Sequence, residues 1–334
     1  MESPLTCLFV GGIVSSFERL QPLAILLSAT MGLVLSRAGF ATQLAEIAIE
    51  PLLVAVLYAT FLPIPLQQFG RAFRNRSVTL ASLVINFVWT PLLAWGLGAF
   101  FLANAPDLRL GLLMLLVTPC TDWYLVFTGL AKGDVALGSA LLPLNAILQL
   151  VLLPVYLWGL GGSFANIAPQ TLLASMAIVF LLPFGLAALT RNVAKKIFSK
   201  VLWQNFLIRA ETGQLLALNM AIAAIFAARG EIVLQQPAIL FQLLPPLVLF
   251  FILNWYVSQG VGRYFNFPYP QRACLSCTTL ARNSPVALAI AVSAFPNRPF
   301  ISLALVVGPL VELPILALVS QALLRLQQRI SRDN

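Results

Sequence analysis

The chain has 334 residues, of which 60% are hydrophobic and only 9% charged, with no histidine and a formal net charge of +9. A soluble globular domain carries about 25% charged residues, so this composition cannot cover a water-facing surface, and apolar runs of about 20 residues recurring along the whole length read as a polytopic all-α membrane protein. The lack of histidine removes the commonest metal ligand and neutral-pH base, together with Ser-His and Cys-His catalysis. No nucleophile–base pair marks an enzyme and no organic cofactor is implied.

At the start of the chain, Met1-Glu-Ser-Pro-Leu lacks the basic opening of a signal peptide and is expected to be retained. Residues 3–17 are apolar but short, and contain Cys7 and Gly11-Gly12, so a packed or interfacial piece is expected there rather than a span. Ten spans follow, at residues 20–36, 47–66, 78–102, 110–129, 135–160, 169–190, 209–228, 238–260, 272–294 and 299–323. An even number puts both termini on one side. Fifteen of the twenty Lys and Arg residues then fall in one set of loops and four (Arg37, Arg109, Arg229 and Arg298) in the other, leaving Arg282 inside a span. Positive charge marks the cytoplasmic side, so both termini are expected in the cytoplasm of a protein spanning the plasma membrane. The basicity is thereby explained without a nucleic-acid partner.

Landmarks within the spans repeat. Asn86-Phe-Val-Trp in the third span matches Asn254-Trp-Tyr-Val in the eighth; Thr118-Pro119 in the fourth matches Ser284-Pro285 in the ninth; Asn145 in the fifth matches Glu312 in the tenth, all at offsets of 166 to 168 residues. Five spans per half is odd, so the second half is inverted relative to the first. Residues 20–160 and 169–323 are therefore expected to be two inverted five-helix repeats within one membrane domain over residues 1–334, which is the architecture of a secondary transporter. Pro119 and Pro285 each remove a backbone donor inside a span, and are read as helix breaks or, more simply, as kinks. Polar residues gather at both: Thr118, Cys120, Thr121 and Asp122 at the first, Arg282, Asn283 and Ser284 at the second.

Charged side chains deep in a bilayer are functional candidates because they are costly to place there. Asp122 and Arg282 read as a mutually neutralising pair, gating two crossing helices, or as groups in direct contact with the substrate; the two readings are compatible, and Asp122 is also a candidate for ion coupling beside Glu312. Glu312 has no evident basic partner in the sequence and suits a proton carrier or a cation ligand, or a carboxyl hydrogen-bonded to freed carbonyls. Cys120 is a small hydrophobe or, at a polar break, a ligand for a soft, thiophilic solute. Asn86, Asn145, Gln149, Asn254 and Asn283 are buried amides that need partners, and a polar cavity would supply them. The C-x-x-C of Cys274 and Cys277 lacks the second ligand pair a metal site needs, so packing is expected.

On these residues the chain resembles the bile acid:sodium symporter superfamily over nearly all ten spans, and within it the arsenite efflux permeases that use a membrane-embedded cysteine. The segment Cys120–Asp134, CTDWYLVFTGLAKGD, carries that family's cysteine, Leu130-Ala131 and Gly133-Asp134 at their spacing; Leu144-Asn145, Gln149, Asn86 with Pro91, and Gly308-Pro-Leu-Val-Glu312-Leu-Pro continue the likeness. The resemblance implies ten helices in a panel and a core domain, with the fourth and ninth crossing and broken, and alternating access between the domains. It also implies export of trivalent arsenic in exchange for protons, with Cys120 and Glu312 as the essential pair. The polar residues at the breaks and among the buried amides, Thr118, Thr121, Asn86, Asn145, Asn283 and Ser284, are expected to bind the substrate. Three departures stand out. Asp122 replaces a small apolar residue, Trp123-Tyr124 is bulkier than the pattern, and Ala281-Arg-Asn-Ser-Pro-Val lacks the acidic residue around which sodium-coupled members build their cation sites. An organic-anion carrier, sodium-coupled or not, with Arg282 on the substrate carboxylate is the alternative expectation.

Overall fold

The computed structural model describes residues 21–37, 42–64, 75–121, 123–162, 169–235 and 241–333. Regular structure among them is helical. α1 (Gln21–Arg37) and α2 (Thr42–Phe61) are followed by α3 (Arg76–Val84), which passes through one π-helical turn (Ile85–Trp89) into α4 (Thr90–Phe101). Two short helices, α5 (Pro106–Leu116) and α6 (Trp123–Leu130), lead to α7 (Val135–Gly159), α8 (Pro169–Ile197), α9 (Lys200–Gln235) and α10 (Leu244–Tyr264). A second short pair, α11 (Tyr269–Leu280) and α12 (Ser284–Ala294), precedes α13 (Pro299–Asp333). An isolated antiparallel bridge between Pro119 and Arg282 is the β feature among the described residues.

Among the described residues, six stretches are long and apolar enough to cross a membrane: Gln43–Phe61, Arg76–Phe101, Val135–Gly159, Val201–Glu231, Leu244–Tyr264 and Pro299–Gln328. Three shorter apolar helices, Gln21–Arg37, Val179–Ala194 and Ser284–Ala294, accompany them. Helix lies in each of the ten windows read from the sequence. The fourth and ninth windows are each cut in two, which leaves no single long helix in either, and α1 is 17 residues long. Residues 3–17 and Cys7 lie outside the described residues. Large apolar side chains such as Ile47, Phe100, Trp158 and Leu181 stand exposed on the helices, as hydrocarbon surroundings require and water does not.

Local chemistry explains the irregular third helix. Pro91 has no N–H to give the Phe87 carbonyl four residues back, so the turn widens: Thr90 N–H donates to Ile85 O five residues back, and the Tyr156 hydroxyl donates to Phe87 O at 2.6 Å. Asn86 sits inside this turn.

α1 and α2 pack on α9, and α2 also on α8, while α5 packs between α4 and α13 and α11 between α10 and α6. Gly111 sets the α5–α13 separation: a Cβ there would lie 2.7 Å from Ala304 Cβ and 3.1 Å from the Ile301 carbonyl oxygen. Because backbone blocks that space, Gly111→Val is expected to destabilise the protein by about 1–3 kcal/mol, read as a lower apparent Tm in detergent; an unchanged Tm would mean that these two helices part freely.

Candidate functional site: two helix breaks that meet

Interrupting a helix in a bilayer frees carbonyls and amides that water cannot reach, so each needs a partner within the protein. Here the two breaks partner each other. Cys120 N–H donates to Ala281 O (3.0 Å) and Asn283 N–H donates to Thr118 O (2.7 Å). Thr118, Pro119, Cys120 and Thr121 are thus held against Ala281, Arg282 and Asn283, although some 160 residues separate them in sequence.

Those amides are diverted from their helical acceptors, and side chains take their places. In α5, Met114 O and Leu115 O would accept from residue 118 and from Pro119, which has no N–H; the Thr118 hydroxyl lies 3.0 Å from both. Leu116 O, whose helical donor Cys120 N–H goes elsewhere, accepts from Arg282 Nη1 at 2.9 Å. In α11, Thr278 O loses Arg282 N–H, which donates to Glu312 Oε1 at 2.8 Å, and accepts instead from Asn86 Nδ2 at 3.3 Å. Thr279 O loses Asn283 N–H and accepts from Asn254 Nδ2 (3.1 Å) and from Arg282 Nη2. Arg282 Nε donates to Leu280 O at 3.3 Å.

Arg282 is therefore a clamp across two helix C-termini, where the backbone dipoles favour positive charge. Its Nη2 also donates to Asn86 Oδ1 (2.9 Å), and the guanidinium carbon stands 5.3 Å from the centroid of the Phe250 ring. Only 3% of the residue is exposed. The second half of the ninth stretch starts with a side-chain cap: Asn283 Oδ1 accepts from Val286 N–H (3.3 Å), and its Nδ2 donates to Thr121 Oγ1 (3.1 Å). Pro285 falls in the first turn of α12, where a missing N–H costs nothing, so the break precedes it.

Cys120 is buried, 1% exposed, and Glu312 is 3% exposed. Through Ala281 O and Arg282 N–H respectively, both are bonded to consecutive residues of one break. Asn145 Nδ2 donates to Thr278 Oγ1 (3.2 Å). Its Oδ1, both amide atoms of Gln149 and the Ser284 hydroxyl are buried without a hydrogen-bond partner. Gln149 follows Asn145 by one turn on the same face of α7. Gly308 lets α13 close on this region, since a Cβ there would lie 2.9 Å from Ser284 Oγ. Asp122 lies outside the described residues, so its pairing with Arg282 stays an expectation. Cys274 and Cys277 are free and fully buried, in two different hydrophobic clusters, and no metal-sized group of His, Cys, Asp and Glu occurs among the described residues.

The sequence profile of the Sodium Bile acid symporter family matches residues 50–236, more than half of the chain. The chain belongs to that family. Within the symporter family it is 24% identical over 324 residues to an arsenical-resistance protein (Acr3) of Corynebacterium glutamicum, covering 91% of this chain and 87% of that one. It is 23% identical over 294 residues to an arsenical-resistance protein (Acr3) of Alkaliphilus metalliredigens, covering 84% and 82%. A Bacillus subtilis protein named as an uncharacterized sodium-dependent transporter (YocS) is 19% identical over 240 residues, 72% of each chain. The chain is accordingly a multi-pass membrane transporter of the symporter family and not an enzyme.

Two members of the junction were not among the residues singled out for the site. Asn254 was legible only as a buried amide and a repeat landmark; here it also accepts from Trp89 Nε1 at 2.9 Å, tying α10 to the π-helical turn. Phe250, one turn before it, carries no sequence signal that separates it from its apolar neighbours. The Gly133-Asp134 motif of this symporter family has a structural job in this chain, since Asp134 Oδ1 caps α7 by accepting from Leu137 N–H (2.9 Å).

Proposed function

We propose that the chain exports trivalent arsenic, as arsenous acid or a similar thiophilic oxyacid, from the cytoplasm in exchange for protons. In this reading it has ten transmembrane helices in two inverted repeats, 20–160 and 169–323, of one domain in the plasma membrane, with both termini cytoplasmic. α5–α6 and α11–α12 are the crossing broken helices of a core that rocks against a panel of α1, α2, α8 and α9. The observation that carries the proposal is the attachment of Cys120 and Glu312 to consecutive residues of one break, a soft ligand and a proton carrier at one junction. The names of two relatives point to the same cargo.

Cys120 supplies the thiol: an As–OH group and the S–H condense to an As–S bond and water, and the reverse step releases the cargo. Asn145 Oδ1, the Gln149 amide and the Ser284 hydroxyl, buried and unpartnered, suit the remaining hydroxyls of the oxyacid, with Thr118, Thr121, Asn86 and Asn283 holding the frame around them. Glu312 exchanges its proton as the core moves. The organic-anion alternative gains little here, because Arg282 would have to leave four protein hydrogen bonds to bind a carboxylate.

Arsenite accumulation driven by a proton gradient in everted vesicles tests the proposal. Cys120→Ser is expected to lower uptake at least tenfold, about 1.4 kcal/mol, at unchanged expression. Wild-type uptake by the serine variant would remove the thiol from the mechanism; no uptake by folded wild-type protein would remove arsenite.

A further inference from the structure

The guanidinium of Arg282 sits in a cage of oxygen. Four of its five N–H donors go to the carbonyls of Leu116, Thr279 and Leu280 and to Asn86 Oδ1, with the Phe250 ring over it. An arginine that caps the last turn of its own helix is common. This one does more, because Leu116 belongs to α5 and Asn86 to the π-helical turn, so three separate segments converge on one positive charge. Main-chain carbonyls and an amide oxygen, gathered where helices are interrupted, are the ligands with which secondary transporters hold a coupling cation.

The family is named for sodium symport, and this cage is already full. We infer that the Arg282 guanidinium is a tethered substitute for a coupling cation, and that it makes transport by this chain independent of sodium. A guanidinium and a sodium ion bring the same unit charge to the two helix C-termini, so the electrostatics of the junction are kept while the exchangeable ion is lost. Removing the side chain leaves Leu116 O, Leu280 O and Asn86 Oδ1 without the donor it gave them, beside Thr279 O, which keeps Asn254 Nδ2, a vacancy an external cation can fill. Lysine retains the charge and three donors, so it keeps the cage occupied. The inference rests on membership of the symporter family and not on arsenite as cargo.

The test is cation binding by the purified full-length protein in detergent, which needs no substrate and so survives failure of the arsenite reading. Apparent Tm is compared in sodium chloride and choline chloride at about 200 mM, beside binding of radioactive sodium. Wild type and Arg282→Lys are expected to shift by less than about 1 °C, whereas Arg282→Ala gains a saturable, sodium-specific rise of about 3–5 °C and binds about one ion per chain. Arg282→Gln, bulkier and still polar, is the second vacating variant in case the alanine protein is recovered only in sodium, which itself supports the proposal. Saturable sodium binding by wild type overturns it. So do alanine and glutamine variants that are indifferent to sodium, or that misfold equally in both salts.

Discussion

Glu312→Gln is expected to abolish uphill accumulation of arsenite in everted vesicles, to at most about one hundredth of wild type (about 2.7 kcal/mol), while downhill equilibration stays within about threefold. Glutamine is close to isosteric and keeps an oxygen where Glu312 Oε1 accepts Arg282 N–H at 2.8 Å, so the backbone of the break retains its partner. What glutamine cannot do is release a proton. The site around it is closed, with 3% of Glu312 exposed and prolines at 309 and 314 freeing the carbonyls of Leu305 and Leu310 on either side in α13. A carboxyl is costly to place in a membrane interior, which makes Glu312 a functional candidate by default. Accumulation by the glutamine variant at the wild-type level would show that coupling lies elsewhere; loss of downhill flux as well would make Glu312 a substrate or structural group.

Much of the site was legible because it rests on residues with few alternative roles in a membrane. Proline inside an apolar span, flanked by threonine, cysteine, asparagine and serine, pointed to 118–121 and 282–285, and the breaks fall there. The π-helical turn of the third helix was not anticipated, Asn86 with Pro91 having entered only as part of the family likeness. The bonding of Arg282 was not legible. Its acceptors are main-chain carbonyls, which no residue identity encodes, and one of them is 166 residues away. A lone arginine in a span therefore read as half of an ion pair with Asp122 or as an anion ligand, the two roles that side-chain chemistry alone suggests. Gly111 escaped for a related reason: that α13 lies against it is a fact about the partner backbone. The exchange of donors in α11, in which Glu312 takes an amide and Asn86 replaces it, needs three segments at once and leaves no local trace in any of them.

That exchange makes Asn86→Leu the stability variant with the largest expected effect, about 3–5 kcal/mol. Asn86 is fully buried; its Oδ1 takes one N–H of Arg282 and its Nδ2 caps Thr278 O. Leucine fills the same volume and satisfies neither, so a buried charged donor and a carbonyl whose amide has gone to Glu312 both lose their partner. Asn254→Leu is the control. It removes a bond of the same kind to the next carbonyl and the acceptor of Trp89 Nε1, but Thr279 O keeps Arg282 Nη2 and no charged donor loses its partner, so about 1–2 kcal/mol is expected. The two amides occupy matching places in the sequence repeat, and propensity and packing would predict equal losses; an unequal loss follows only from the bonds around Arg282. Apparent Tm of the two variants in detergent, each also combined with Arg282→Ala, decides the matter. Coupling between positions 86 and 282 that is larger than that between 254 and 282 supports the clamp, and equal, additive effects would dissolve it into ordinary burial.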